Sequence, residues 1–268
     1  MPRWVIDAPK LLEFDGAAAL RVRVVSGSVA VLASAGPPSV DVESLSGQPL
    51  LVSHEAGILT VTYEDLTWDG VLGWLRPQRH SADLTITVPA GCPVQLGVVN
   101  ASAMVSGITA SVSVRSVNGG LTLDGVRGPV DAKTVSGDVE TRGLDGSLTF
   151  NSVSGGLTLA GGTVQTLDAR TAAGKVTADV DLDSGGSLRV NTVSGEVAVR
   201  LPADASANVD LRSGSGRVRS GFDVLQPSGP SSVAGTLGDG GARISVSTLS
   251  APVSLLQRGG PGPAGAAR

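Results

Sequence analysis

Apolar and polar residues alternate along most of this chain, phased by a recurring phrase, Val-Ser/Asn-Gly-x-Val/Leu. Clear copies are VNGGL at 117–121, VSGDV at 135–139, VSGGL at 153–157 and VSGEV at 193–197, with weaker ones AAGKV at 172–176 and GSGRV at 214–218. The central glycines, Gly119, Gly137, Gly155, Gly174, Gly195 and Gly216, are spaced by 18, 18, 19, 21 and 21 residues, and Ala101 takes the slot one step of 18 earlier. Seven and five residues before the glycines sit apolar side chains such as Val112 and Val114, Leu148 and Phe150, and Leu188 and Val190. Three before stand Ser116, Thr134, Ser152, Thr171, Thr192 and Ser213, and two after stands Leu or Val. The three leading columns share a period of two, so they point to one side of an extended backbone. A helix would show a 3.6-residue period and would not tolerate glycine at each of these places.

A short strand cannot bury its apolar face alone, but stacking each copy on the next builds a continuous core. A coil of 18 residues holds about three short strands plus corners at a rise of about 3.3 Å per residue. The pattern therefore predicts an all-β, single-chain β-solenoid (β-helix) of about 18–21 residues per turn, with parallel stacking about 4.8 Å per turn. About eight turns make a rod roughly 35 Å or more long. The Ser/Thr column predicts an internal hydroxyl ladder, donating to the next coil or to backbone. The glycines mark corners that need φ > 0 or close backbone approach. Longer copies place their extra residues in corner bulges at 178–187 and 199–208.

The same signature reaches outward. Leu20, Val22 and Val24 lead into SGSVAV, Val40 and Val42 into SGQPL, and Ile244, Val246 and Thr248 into SAPVSL. Residues 1–95, with strands expected at 59–66 and 82–89, read as an N-terminal β cap continuous with the solenoid, and 96–256 as the repeat array. The Gly/Ser/Pro-rich stretch 221–243 reads as an inserted loop before a closing turn at 244–256, and 257–268 as a disordered tail.

Composition agrees. Glycine occurs 37 times in 268 residues, roughly twice the usual share. Charged residues make up 16% and aromatics 3%, which argues against a helical bundle. Five of the seven aromatics (Trp4, Phe14, Tyr63, Trp68 and Trp74) precede residue 76 and set the cap apart from the lean array. The N-terminus MPRWVIDAPKLLEFDG lacks the apolar run of a signal peptide, and no stretch approaches the roughly 18 apolar residues of a membrane span. Cys92 stands alone and forms no disulfide within the chain. The expectation is a soluble, cytoplasmic bacterial protein.

LTITVPAG at 84–91, the serial VSG copies and GTLGDGGARISVSTLS at 235–250 together resemble the bacterial β-strand-repeat family labelled "putative adhesin". The resemblance runs from about residue 4 to 256. It implies a β-solenoid, no established catalytic residues and, from the label, export, for which this chain carries no signal.

Candidate chemistry is sparse. GxSxG, HExxH, Walker-type and GxGxxG motifs are absent. His54, His80 and Cys92 lack metal-ligand spacing and read as surface or loop histidines and a buried small thiol, so no metal or cofactor is expected. Asp179, Asp181 and Asp183 alternate with Val180 and Leu182, placing three carboxylates on one strand face. That is either a weak Ca²⁺ or glycan site or a solvated bulge whose charges discourage edge pairing. Arg189, Arg200, Arg212, Arg217 and Arg219 form a basic stripe, but the net charge of −4 and the missing aromatic interleaving argue against nucleic acid. Threonines at 122, 158 and 177 suggest an ice-binding array, which Glu140, Ala198 and Arg219 interrupt. Trp68 and Trp74, beside Leu72 and Leu75, read equally as a partner-binding surface or as a loop folded over the open end of the core; contact with a membrane is the weaker option.

These features favour a non-enzymatic scaffold or protein-interaction module with an unidentified protein partner. Homo-oligomers through ends or walls are a further expectation. The alternative is a carbohydrate-binding or carbohydrate-cleaving β-helix using the three aspartates.

Overall fold

A computed structural model describes residues 3–63 and 80–259, which contain strands and turns and no helix. Contacts divide the chain into two compact units, residues 1–144 and 145–268. Each is a β-solenoid stack.

In the first unit follow β1 (Arg3–Ile6), β2 (Lys10–Glu13), β3 (Ala19–Ala33), β4 (Ser39–Ser46), β5 (Leu50–Glu55), β6 (Ile58–Tyr63), β7 (Ser81–Val88), β8 (Val94–Ser106), β9 (Val112–Ser116), β10 (Leu121–Asp124), β11 (Arg127–Thr134) and β12 (Val139–Arg142). The 18-residue step is the stacking register: Val94 lies beside Val112 and Val112 beside Val130, while Ala103 lies beside Leu121 and Leu121 beside Val139, all parallel. Buried Ile108, Val126 and Leu144, again 18 apart, line a third side and make each coil three-sided.

Strand β3 is a full rung of this array, parallel to β8 with Leu20 beside Val94 and Val29 beside Ala103. Its other edge carries β6 and β7, also parallel. Beyond these the pairing turns antiparallel, through β5 and β1 on one side and β4 and β2 on the other. The copy around Val40 and Val42 is therefore a cap strand and not a parallel rung. The histidines and the thiol serve packing: Phe14 sits edge-on to Trp4 and His54, buried His80 stacks on Tyr63 at 5.0 Å, and Cys92 is buried.

The second unit holds β13 (Asp145–Ser152), β14 (Leu157–Thr171), β15 (Val176–Thr192), β16 (Val197–Leu201), β17 (Ala207–Ser213), β18 (Val218–Ser220), β19 (Gln226–Gly229), β20 (Ser232–Leu237), β21 (Ala242–Thr248) and β22 (Val253–Gln257). Parallel rungs rise from β13 to β14 to β15, with Leu148, Leu167 and Leu188 in line. The register shift between Val164 and Thr166, opposite Leu182 and Ser187, absorbs the extra residues of the 178–187 bulge, whereas between Ala160 and Thr163 the extra residue lies on β14 itself.

Here the structure departs from the sequence-based order. The C-terminal coil is not a closing turn. It is slotted between two earlier coils: β21 pairs with β15 on one edge and β17 on the other, and β22 likewise with β16 and β18. The stretch read as a loop contains a hairpin, with β20 antiparallel to both β17 and β19 and Val233 and Leu237 buried beneath it. Gln257 ends β22, and Arg258 donates its amide to Leu201 O at 2.7 Å, so both belong to the stack and not to a tail.

The repeat's polar residues explain its corners. A Cβ on Gly137 would fall well inside 3.0 Å of the Gly119 carbonyl oxygen, and one on Gly195 would do the same at Gly174. Neither glycine has a positive φ, so close approach of stacked backbones, not φ, excludes a side chain. The hydroxyl three residues earlier accepts the slot N–H: Thr171 from Gly174 at 3.0 Å, Thr192 from Gly195 at 2.9 Å, Ser213 from Gly216 at 2.7 Å and Thr248 from Ala251 at 3.1 Å. Thr171 and Ser213 also donate to the neighbouring rung's slot carbonyl, at Gly155 and Ala251. The inward column thus bonds to backbone within and between coils, satisfying groups that burial would otherwise leave unpaired.

Candidate functional site

Trp68, Trp74, Leu72 and Leu75 lie outside the described residues. Of the three aspartates, the structure gathers two. Arg258, at the end of the slotted coil, donates Nε and Nη2 to Asp179 Oδ1 at 2.9 and 2.5 Å, and Nη1 to Asp181 Oδ1 at 2.8 Å. Arg200, in the rung between, reaches Asp179 Oδ2 at 3.4 Å. Asp183 turns back to the Ser184 amide at 2.9 Å. The Arg258 guanidinium is held protonated more firmly than usual, chiefly by the hydrogen bond with Asp179. The carboxylates therefore fasten the C-terminal coil across neighbouring rungs. Among the described residues no group of three His, Cys, Asp or Glu side chains is placed to hold a metal ion.

The basic stripe is partly neutralised too. Arg200 is paired with Asp179 and Arg212 with Asp210, and Arg189 lies in register beside Asp168.

A different feature is left unexplained by packing. The Val that opens each VSG phrase sits two residues before the slot glycine, at the bend where the strand has ended, so strand propensity does not account for it. In the second unit Val153, Val193 and Leu249 occupy this position with relative exposures of 57%, 49% and 64%, and Ala172 fills the rung between Val153 and Val193. Their carbonyls are all engaged. The Val153 carbonyl accepts from Ala173 N, Ala172 O from Ser194 N, Val193 O from Ser250 N and Leu249 O from Ser215 N, all within 3.0 Å. The adjacent hydroxyls of Ser194 and Ser250 bond back to the same carbonyls at 3.3 and 3.2 Å. Side chains at this corner turn toward solvent and not into the core. The result is an apolar ridge crossing four rungs, about 14 Å long at strand spacing. Beside it lies a shallow depression of about 330 Å³ bordered by Asn151, Arg170 and Asn191. The column was visible in sequence, but its outward direction was not, because it falls at a corner where period-two parity no longer applies.

Residues 42–255 match the family model described as Toastrack DUF4097. Among solved structures, a Bacteroides fragilis protein described as a "putative adhesin" is 9% identical, over 92% of this chain and 96% of that one, with a TM-score of 0.52. A Parabacteroides distasonis protein with the same description is 12% identical, over 92% and 95% of the two chains, with a TM-score of 0.43. At such identity the first of these likenesses speaks to fold alone. No curated protein sequence matches the chain.

Proposed function

From a chain that belongs to the Toastrack DUF4097 family, we propose a protein-interaction module that acts by binding and not by catalysis. The observation that carries this reading is the ridge of Val153, Ala172, Val193 and Leu249. It repeats with the fold, stays apolar and does nothing for the core. Removing such side chains from water on contact is worth about 25 cal/mol per Å², and a rigid rung-by-rung ridge loses little freedom on binding. The partner is a protein surface with a matching apolar groove; a second copy of the chain is the self-assembling version.

Replacing Val153, Val193 and Leu249 together with serine tests this. All three are exposed, so the melting temperature stays near that of the parent. Recovery of cross-linked partner protein falls, and so does any concentration-dependent increase in sedimentation coefficient. If both persist undiminished in the triple variant, the ridge is not the binding surface.

A further inference from the structure

The first unit presents a second surface that its sequence conceals. Along the wall formed by β3, β8, β9 and β11, outward residues fall into two columns in register: Arg21, Gln95, Ser113 and Asp131, and Arg23, Gly97, Arg115 and Lys133. Gly97 carries no side chain, so the place between Arg23 and Arg115 is empty, and a depression of about 220 Å³ opens there. Arg21, Arg23 and Arg115 line it, with Gln95 and Ser113 adding uncharged polar groups. Asp131, the one acid in the two columns, is bound to Lys133 at 3.0 Å. Among the described residues neither Arg21 nor Arg23 has a carboxylate partner. Like charges set side by side on a sheet are destabilising, yet this wall gathers cations in a chain whose net charge is −4.

We infer that the Arg21–Arg23–Arg115 depression over Gly97 is a binding site for a phosphate-bearing ligand. Arg23 and Arg115 stand two rungs apart, about 10 Å at strand spacing. Their side chains flank a group seated over Gly97, and Arg21 lines a third side. Guanidinium forks match phosphate oxygens in pairs. The two forks of Arg21 and Arg23, with the Arg115 cation, an amide and a hydroxyl beside them, suit a group with three or more anionic oxygens better than the two of a carboxylate. The ligand is a free phosphate or diphosphate compound or the headgroup of an anionic lipid; both present the same chemistry. The site lies in a different unit from the ridge, so either reading can fail without the other.

The full chain is titrated calorimetrically with pyrophosphate. In parallel it is floated with vesicles of phosphatidylcholine alone and of phosphatidylcholine mixed with phosphatidylglycerol. Saturable pyrophosphate binding is expected, weakened about tenfold or more by Arg21→Gln/Arg23→Gln, since charge-assisted bonds to anions are the strong class. Gly97→Leu removes the depression without changing charge and abolishes binding, with circular dichroism confirming that the variant is folded. Arg217→Gln/Arg219→Gln in the second unit makes the same change in net charge and leaves binding intact. Pyrophosphate binding without flotation identifies a soluble ligand, and flotation only with phosphatidylglycerol that fails in Arg21→Gln/Arg23→Gln identifies a lipid. Absence of both, or equal loss in the second-unit control, overturns the site.

Discussion

The hydroxyl three residues before each slot is the most exposed prediction of the coil, and Thr171→Val probes it with almost no change of shape. Thr171 is buried; its Oγ1 accepts from Gly174 N at 3.0 Å and donates to Gly155 O at 3.4 Å. Valine fills the same volume but leaves the Gly174 N–H without an acceptor in a place water does not reach. An orphaned buried amide costs about 1–3 kcal/mol. The bond to Gly155 is long and adds little, while burying a methyl in place of a hydroxyl returns up to about 0.8 kcal/mol. The net loss is about 1–2 kcal/mol, which lowers the melting midpoint by about 3–8 °C for a unit of this size. Thermal unfolding followed by far-ultraviolet circular dichroism reads the loss, and amide exchange at Gly174 locates it. Thr158→Val is the control: Thr158 faces solvent on the same strand, and its substitution stays within about 0.5 kcal/mol. Equal midpoints for the two variants, with Gly174 still protected in Thr171→Val, would refute the assigned role of the inward column.

Gly137→Ala drives a methyl into the Gly119 carbonyl oxygen and costs about 1–3 kcal/mol by urea unfolding, whereas Gly120→Ala, with nothing within 4 Å, is close to neutral. Val246→Ala hollows the rung between Val190 and Leu211 and raises amide exchange in both flanking strands; coils stacked in chain order would confine the change to one side. The Asp83 carboxyl is held below its ordinary value by hydrogen bonds from Ser44 first and then Ser28. The unfolded chain therefore binds the proton more readily, and the stabilisation is present above about pH 4 and lost as pH falls through the depressed folded value. Asp83→Asn flattens that acid limb of the stability curve. Cys92 is buried, and burial pushes its thiol pKa up, so alkylation at neutral pH proceeds only as the first unit opens and its rate follows denaturant.

Much of the coil was legible because its causes are local and repeated. Alternation at −7, −5 and −3 is the burial pattern itself, as Val112, Val114 and Ser116 show in one rung and Leu188, Val190 and Thr192 in another. The 18-residue step became the register because every rung needs the same three-sided perimeter. The slot glycine was expected to need either a positive φ or close approach, and only the neighbouring coil's carbonyl settles which. The hairpin at 226–237 escaped because its strands are short, Pro- and Gly-rich and contribute few inward apolar residues. Alternation puts Asp179, Asp181 and Asp183 on one face, but the structure gathers only Asp179 and Asp181, and the arginine that joins them is Arg258, in a stretch that reads as tail.

Rung order is where local reasoning runs out, and the same gap hid the basic depression. LRVNT at 188–192, VDLRS at 209–213 and ISVST at 244–248 present the same inward pattern, so any of them fits the edge of any other. Burial does not distinguish them. The choice is made by the residues next in the chain after each coil: Arg258 can reach Asp179 and Asp181 only from the slot beside β16, and β20 can pair with β17 only if that strand keeps an edge open. At the other end of the chain β3 is likewise a rung out of order, between β7 and β8. That placement alone brings Arg21 and Arg23 beside Gln95 and Gly97, each pair 74 residues apart. In a solenoid the columns set what a coil is, but a surface made of several coils depends on which coils are neighbours. An out-of-order rung can therefore assemble a charged site from residues that are ordinary where they stand in the sequence.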